Sequence, residues 1–268
     1  MRIEPVLKNL EKEKIVNLIE ESAFESMKSW KSCKRIILHE NEHSLWIQSD
    51  VNSSFLNNIL RFPFPHGDAG HFFRSLTDTN ISLRCWVHQN VDAIPVISYL
   101  IKNNWKHKYD TVGMAIDLNS IHENIPINNK IVINEVKNLE MLRQWSLTFA
   151  SIFNLPTIME QAWYDIHVAM FHNAQPWRHY FVMLGEKSIA VASLFQHADV
   201  AYFAFGATSP EFRRQGIHST LILRRLHDAQ MSNCKIATLI AAPLSQAVCR
   251  RFGFQVYYKY HFYDWEAG

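Results

Sequence analysis

Glycine and proline are scarce, 8 and 9 of 268 residues, which leaves no room for a collagen-like repeat or a low-complexity linker. Charged residues reach only 19%, too few for a disordered polyelectrolyte. No window approaches the roughly 18 continuous apolar residues of a membrane-spanning helix, so no membrane partner is expected. The four cysteines, Cys33, Cys85, Cys234 and Cys249, contain no CxxC pair; free thiols in a reducing compartment are expected. Basic blocks are also missing. The 27 Lys and Arg are spread along the chain and the net charge is +2, so nucleic-acid binding is not expected. The opening Met1 to Leu7 carries charge where a secretory leader needs its apolar stretch. The expected location is cytoplasmic, with export as an effector left open.

What is present is a globular composition, 48% hydrophobic and 13% aromatic, long enough for two medium domains. Val6, Leu7, Leu10, Ile15, Leu18 and Ile19 recur at helical spacing, giving an amphipathic opening up to about Trp30. Arg35–Leu38 and Ser44–Ile47 read as strands around the polar turn His39–His43. A helix around His71–Leu76, a strand at Ser82–Val87, a helix at Ala93–Asn103 and a strand from Trp105 to Asp117 follow. Leu118–Lys130 is polar and lacks either periodicity, which places a boundary there and divides the chain into 1–125 and 126–268. Beyond it come a strand at Ile131–Val136, helices at Leu139–Phe153 and Thr157–His172, and strands at His179–Leu184, Ile189–Gln196 and Val200–Thr208. Then a helix from Gly216 to Met231, a strand at Lys235–Ala241, a helix at Ser245–Phe252 and a strand at Phe254–Tyr263 complete a mixed α/β order.

The stretch Ala207 to Ser219 leaves a strand and enters a helix. Such a turn, with glycine for close approach, points free amides and the positive end of the helix dipole at one spot. Arg213 and Arg214 add cationic donors beside it. The ligand expected there is a pyrophosphate.

Arg213-Arg214-Gln215-Gly216-Ile217-His218 resembles the acetyl-coenzyme-A loop of the GNAT N-acetyltransferase superfamily, Arg/Gln-x-x-Gly-x-Gly/Ala. It matches at the first and fourth positions and departs at the sixth, where His218 stands for Gly or Ala. Pro210-Glu211-Phe212 before it and Arg250-Arg251-Phe252-Gly253-Phe254 after it resemble further family features, and the resemblance spans about Ile131 to Asp264. It implies that Arg213 to Ser219 hold acetyl-CoA together with backbone amides of Ala207 and Thr208 and a turn at Ser245. It also implies direct acetyl transfer from the thioester to an amine, small molecule or protein, without a metal.

A base must take the amine's proton and an acid must protonate the departing thiolate. The family's base position falls on Ala204 or Phe205, neither of which can act. Its tyrosine position falls on Cys249, with Tyr257, Tyr258 and Tyr260 on the neighbouring strand; Cys249 and Tyr258 are the catalytic candidates. His39-Glu40-Asn41-Glu42-His43 fits HExxH, but its flanks favour a hairpin over the helix a zinc site needs. The first half lacks the glycine loop, yet its order of strand, helix, Asn103-Asn104-Trp105 and closing strand loosely repeats the end of the second. It resembles the degenerate domain of a tandem acetyltransferase, one that shapes the acceptor pocket or binds a ligand without catalysis. The expectation is thus two GNAT-like α/β domains, each a mixed, mostly antiparallel sheet flanked by helices. The alternative function is a non-catalytic CoA-binding or protein-interaction module.

Overall fold

Helix α1 (Lys12–Lys28) forms where Ile15, Ile19 and Ala23 recur on one face, and that face is buried against the sheet. The computed structural model describes residues 6–64, 68–89, 93–121, 131–173 and 176–268. After α1 come β1 (Ile36–Glu40), β2 (Leu45–Ser49), β3 (Asn58–Arg61), α2 (Ala69–Thr77), β4 (Leu83–His88), α3 (Ala93–Lys102) and β5 (Lys106–Asp117). The second half contains β6 (Ile133–Glu135), α4 (Leu139–Phe153), α5 (Thr157–His172), β7 (Trp177–Leu184), β8 (Lys187–His197), β9 (Val200–Thr208), α6 (Ile217–Met231), β10 (Ile236–Ala241), α7 (Pro243–Arg251) and β11 (Gln255–Trp265).

Capping explains the sharpest boundaries. The Asn138 side chain accepts the Met141 amide at the start of α4, and Asn154, at φ 50°, closes it in the left-handed conformation. The His39–His43 segment is the β1–β2 hairpin, with His39 stacked on Trp46 at 3.6 Å between centroids, so its histidines share no helix face. Most of the polar stretch read as the boundary, 122–130, lies outside the described residues.

The mixed, mostly antiparallel sheet flanked by helices is present, and the two halves share it. Among the described residues its eleven strands run β1-β2-β3-β4-β11-β5-β10-β9-β8-β7-β6. Among the described residues each half contains one parallel pair, β3 with β4 and β9 with β10, joined by the crossover helices α2 and α6 respectively. The halves exchange their last strands: β11 lies between β4 and β5, and β5 lies between β11 and β10. The order is therefore nearly symmetric about the β11–β5 seam. Ile217, Leu221, Leu226, Cys249 and Phe252 of α6 and α7 pack on one face of the second half. Helix α1 covers the opposite face at Val200, Ile236, Tyr258 and Tyr260, and the Ser22 hydroxyl meets that of Thr238 at 2.8 Å. A helix of the first half thus walls the second.

Candidate functional site

Strands β9 and β10 pair in parallel only from Val200–Ile236 to Phe203–Leu239. Beyond that row β9 continues to Thr208 and β10 to Ala241 without partnering each other. A gap at the carboxyl ends of parallel strands is where open α/β sheets bind ligands. A bulge shapes its β9 wall: Val191 pairs with Ala207 and Ser193 with Ala204, so Ala192 opposes both Phe205 and Gly206, and Phe205 takes φ 53°.

The loop leaves this wall through a short turn at Pro210–Phe212. The Arg213 Nε donates to the Thr208 carbonyl at 3.2 Å, Arg214 takes φ 63° and Gly216 takes φ 83°. Only glycine adopts that last conformation at little cost. Arg213, Arg214 and Gln215 are exposed, whereas Ile217 and Ser219 are buried. Among the described residues no side chain caps α6, and its first bond runs from the Thr220 amide to the Gly216 carbonyl at 3.0 Å. The amides of Ile217, His218 and Ser219 precede the ladder and face the loop end, the arrangement that favours an anion. Thr208 Oγ1 is buried beside this turn without a hydrogen-bond partner among the described residues.

The pseudo-equivalent helix of the first half differs. The Asp68 carboxylate caps α2, accepting the His71 amide at 2.8 Å. That helix start carries its own anion.

His218 fits through its neighbour. A Cβ on Gly206 would stand 3.1 Å from His218 Cε1 and 3.6 Å from Arg225 Nη2, so the missing side chain on the strand accommodates the extra one on the helix. Burial, with the charge of Arg225, lowers the His218 imidazole to about 4. Arg225 itself is 3% exposed. Its Nη1 donates to the Ser193 and Ala204 carbonyls at 3.2 and 3.4 Å, its Nε donates to the Leu221 carbonyl at 3.2 Å, and its guanidinium lies 4.5 Å over the Phe203 ring. Burial brings it down to about 10. A buried cation thus ties helix α6 to both strands of the bulge.

The two catalytic candidates lie on opposite faces. Cys249 packs on α7 beneath the sheet, and burial raises its thiol to about 11 although Arg225 pulls the other way. A neutral, enclosed thiol is a poor proton donor. Tyr258 faces α1. Its ring lies across Gly113 of β5, toward β10, with Cζ 2.2 Å from where a Cβ would stand. Burial raises its phenol well above the usual range, as does the charge of Glu20, and the hydroxyl is enclosed without a well-formed hydrogen bond. Glu20 of α1 bonds the Tyr260 hydroxyl, and the Tyr258 and Tyr260 rings meet edge to face at 5.0 Å. Ser245 is exposed at the start of α7, its hydroxyl turned back to the Ala242 carbonyl at 2.9 Å.

Sequence reasoning missed Gly206, Arg225 and Glu20. Arg225 had a signal: it falls on the stripe of Ile217 and Leu221, where an apolar residue belongs. Glu20 had none, being one acidic residue among several on an amphipathic helix.

Solved structures are similar to this chain in overall fold. A GCN5-related N-acetyltransferase from Kribbella flavida superposes with TM-score 0.64 at 12% identity, covering 94% of this chain and 96% of that one. One from Sphaerobacter thermophilus gives 0.62 at 11%, covering 95% and 91%. A tandem GNAT protein from the clavulanic acid biosynthesis pathway gives 0.60 at 10%, covering 94% and 96%. The fold is that of the GNAT acetyltransferases. No family model matches the sequence, and no curated protein does. The splayed pair β9–β10 and the uncapped α6 belong to the second half of the chain, and the capped α2 to the first. No described helix is long and apolar enough to cross a membrane.

Proposed function

We propose that the protein is an N-acetyltransferase that transfers acetyl from acetyl-CoA to an amine, with one cofactor site per chain. The observation that carries this reading is the uncapped start of α6 at the mouth of a splayed parallel pair, set against the Asp68-capped α2. Amides of Ile217, His218 and Ser219 would hold the diphosphate, with Arg213, Arg214 and Gln215 exposed around it. Ser245, at the start of α7, would flank the carrier arm. Acetyl-CoA supplies an activated thioester whose carbonyl becomes negative as the amine attacks. Backbone amides of the bulged wall, through Ala207 and Thr208, would stabilise that charge, and Arg225 holds the wall in place. On the α1 face, Glu20 would accept the amine's proton, directly or through Tyr260, and Tyr258, its hydroxyl enclosed like the Cys249 thiol, would donate one only where bound acetyl-CoA reaches it.

The enclosed Cys249 and the missing carboxylate on β9 favour a second reading, a non-catalytic CoA-binding module. Calorimetry with acetyl-CoA, followed by thiol release across small amines, lysine peptides and protein N-termini, separates the two. Transfer predicts saturable binding and turnover with at least one acceptor class. Saturable binding with no turnover supports the module, and no binding overturns both.

A further inference from the structure

Away from the α6 loop, three metal-ligating side chains converge on the β5–β11 seam. His107 Nε2 lies 2.7 Å and His261 Nδ1 2.8 Å from the same Asp110 oxygen, Oδ1. These ligand atoms all lie within 4.8 Å of one another. Strand alternation alone would put residues 107 and 110 on opposite faces. A bulge brings them together: Phe262 pairs with Tyr109 but Tyr263 with His107, so Lys108 is the extra residue and His107 shifts to the face of Asp110. His261 stands directly across the ladder from Asp110. The backbone thus departs from regular pairing at the one place where doing so assembles two imidazoles and a carboxylate.

The geometry points to a binding site for a borderline divalent first-row cation, of which zinc is the best fit, formed by His107, Asp110 and His261. Two imidazole nitrogens and one carboxylate oxygen are the donor set of three-ligand zinc sites, which leave a fourth position for water. Ligand atoms around a tetrahedral zinc stand roughly 3.3 Å apart; the two histidine-to-Oδ1 separations are 2.7 and 2.8 Å and all three atoms lie within 4.8 Å, so side-chain adjustment would bring them to zinc-binding distance. A metal would be received by the nitrogens that face Oδ1, with the proton of each imidazole on its other ring nitrogen. The second oxygen, Oδ2, is held by Lys259 Nζ at 3.3 Å, an outer contact that keeps Oδ1 turned toward the imidazoles. The buried Tyr263 ring packs 5.4 Å from that of His107 and closes one side. The side chains of His107 and Asp110 remain 45% and 37% exposed, which leaves an entry path.

A cation there would join β5 to β11, the two strands the halves exchange, and so strengthen the interlock. The intact chain, stripped with a chelator, is titrated with Zn2+ by calorimetry and with Co2+ by visible absorption, alongside His107→Ala, His261→Ala and, as a control, His43→Ala. The expected result is one saturable Zn2+ per chain, a tetrahedral Co2+ spectrum, and a thermal midpoint raised on the order of 5 °C at a hundredfold excess over Kd. His107→Ala and His261→Ala each lose that equivalent; His43→Ala keeps it. His107 is the more exposed ligand, so its variant decides the outcome if His261→Ala does not fold. Absence of saturable binding, or an unchanged equivalent in His107→Ala, overturns the site.

Discussion

Arg84 and Asp264, 180 residues apart, form a two-pronged ion pair: Nε to Oδ1 at 2.7 Å and Nη2 to Oδ2 at 2.8 Å. Asp264 is 3% exposed. The pair joins β4 of the first half to β11 of the second and takes a further bond from the Ser54 hydroxyl at 3.1 Å. Asp264→Ala leaves the part-buried Arg84 guanidinium with only the Tyr109 hydroxyl as a hydrogen-bond partner among the described residues, and a loss of about 3 kcal/mol is expected. Denaturant melts of the variant check this.

The exchanged strands make a second prediction. Residues 1–121 lack β11 and residues 131–268 lack β5, so each fragment leaves an unpaired edge in the middle of its sheet. Neither fragment alone should give a cooperative melt, and co-expression should restore one. Independent folding of either fragment would contradict the interlock.

Gly113 exists for Tyr258. A methyl group at position 113 would occupy the phenol ring's place, so Gly113→Ala should cost about 1–3 kcal/mol through overpacking. Adding Tyr258→Leu should recover part of that loss. A double-mutant cycle measures it, and strictly additive effects would remove the contact from the account.

Arg225→Met keeps the length of the side chain but deletes its donors to the Ser193 and Ala204 carbonyls. Two buried acceptors at the bulge lose their partner, and a destabilisation of roughly 2–4 kcal/mol is expected. If the bulge presents the amides that stabilise the thioester, kcat falls more than the affinity for acetyl-CoA. Equal loss of both would make Arg225 a support for binding alone.

Acid should unfold the protein early. Burial holds His167 at about 3 and His218 at about 4, and lowers His179 well below its usual range. Unfolding returns each to near 6.5. Below that value the unfolded chain binds protons that the folded chain refuses, so stability is full above pH 6.5 and declines as pH falls toward 4. Each histidine contributes about 1.4 kcal/mol per pH unit in that window. His167→Gln should remove one such share of the slope in urea melts between pH 6.5 and 4.5.

The elements whose ends carry their own chemistry were legible in the sequence. Helix α4 is bounded by Asn138 and Asn154, α5 follows Pro156, and β9 runs between the Ala198 turn and Pro210; their readings match the structure closely. Strand β3 was not legible, because its four residues are too few to display an alternation. Nor was the strand exchange: the residues of β11 specify a strand, whereas its neighbours are chosen by contacts such as Arg84–Asp264 that cross the whole chain. The departure at His218 looks like a defect along the chain and becomes intelligible only when Gly206 is seen beside it. On the α1 face, Glu20 reaches Tyr260 through folding alone, without local spacing to announce it.

A crystal structure of the protein with acetyl-CoA tests the central claim most directly. The account predicts one molecule per chain, its diphosphate oxygens about 3 Å from the amides of Ile217, His218 and Ser219, and its thioester in the gap between β9 and β10. A diphosphate bound at α2 instead, or a gap left closed with the ligand elsewhere, would contradict it.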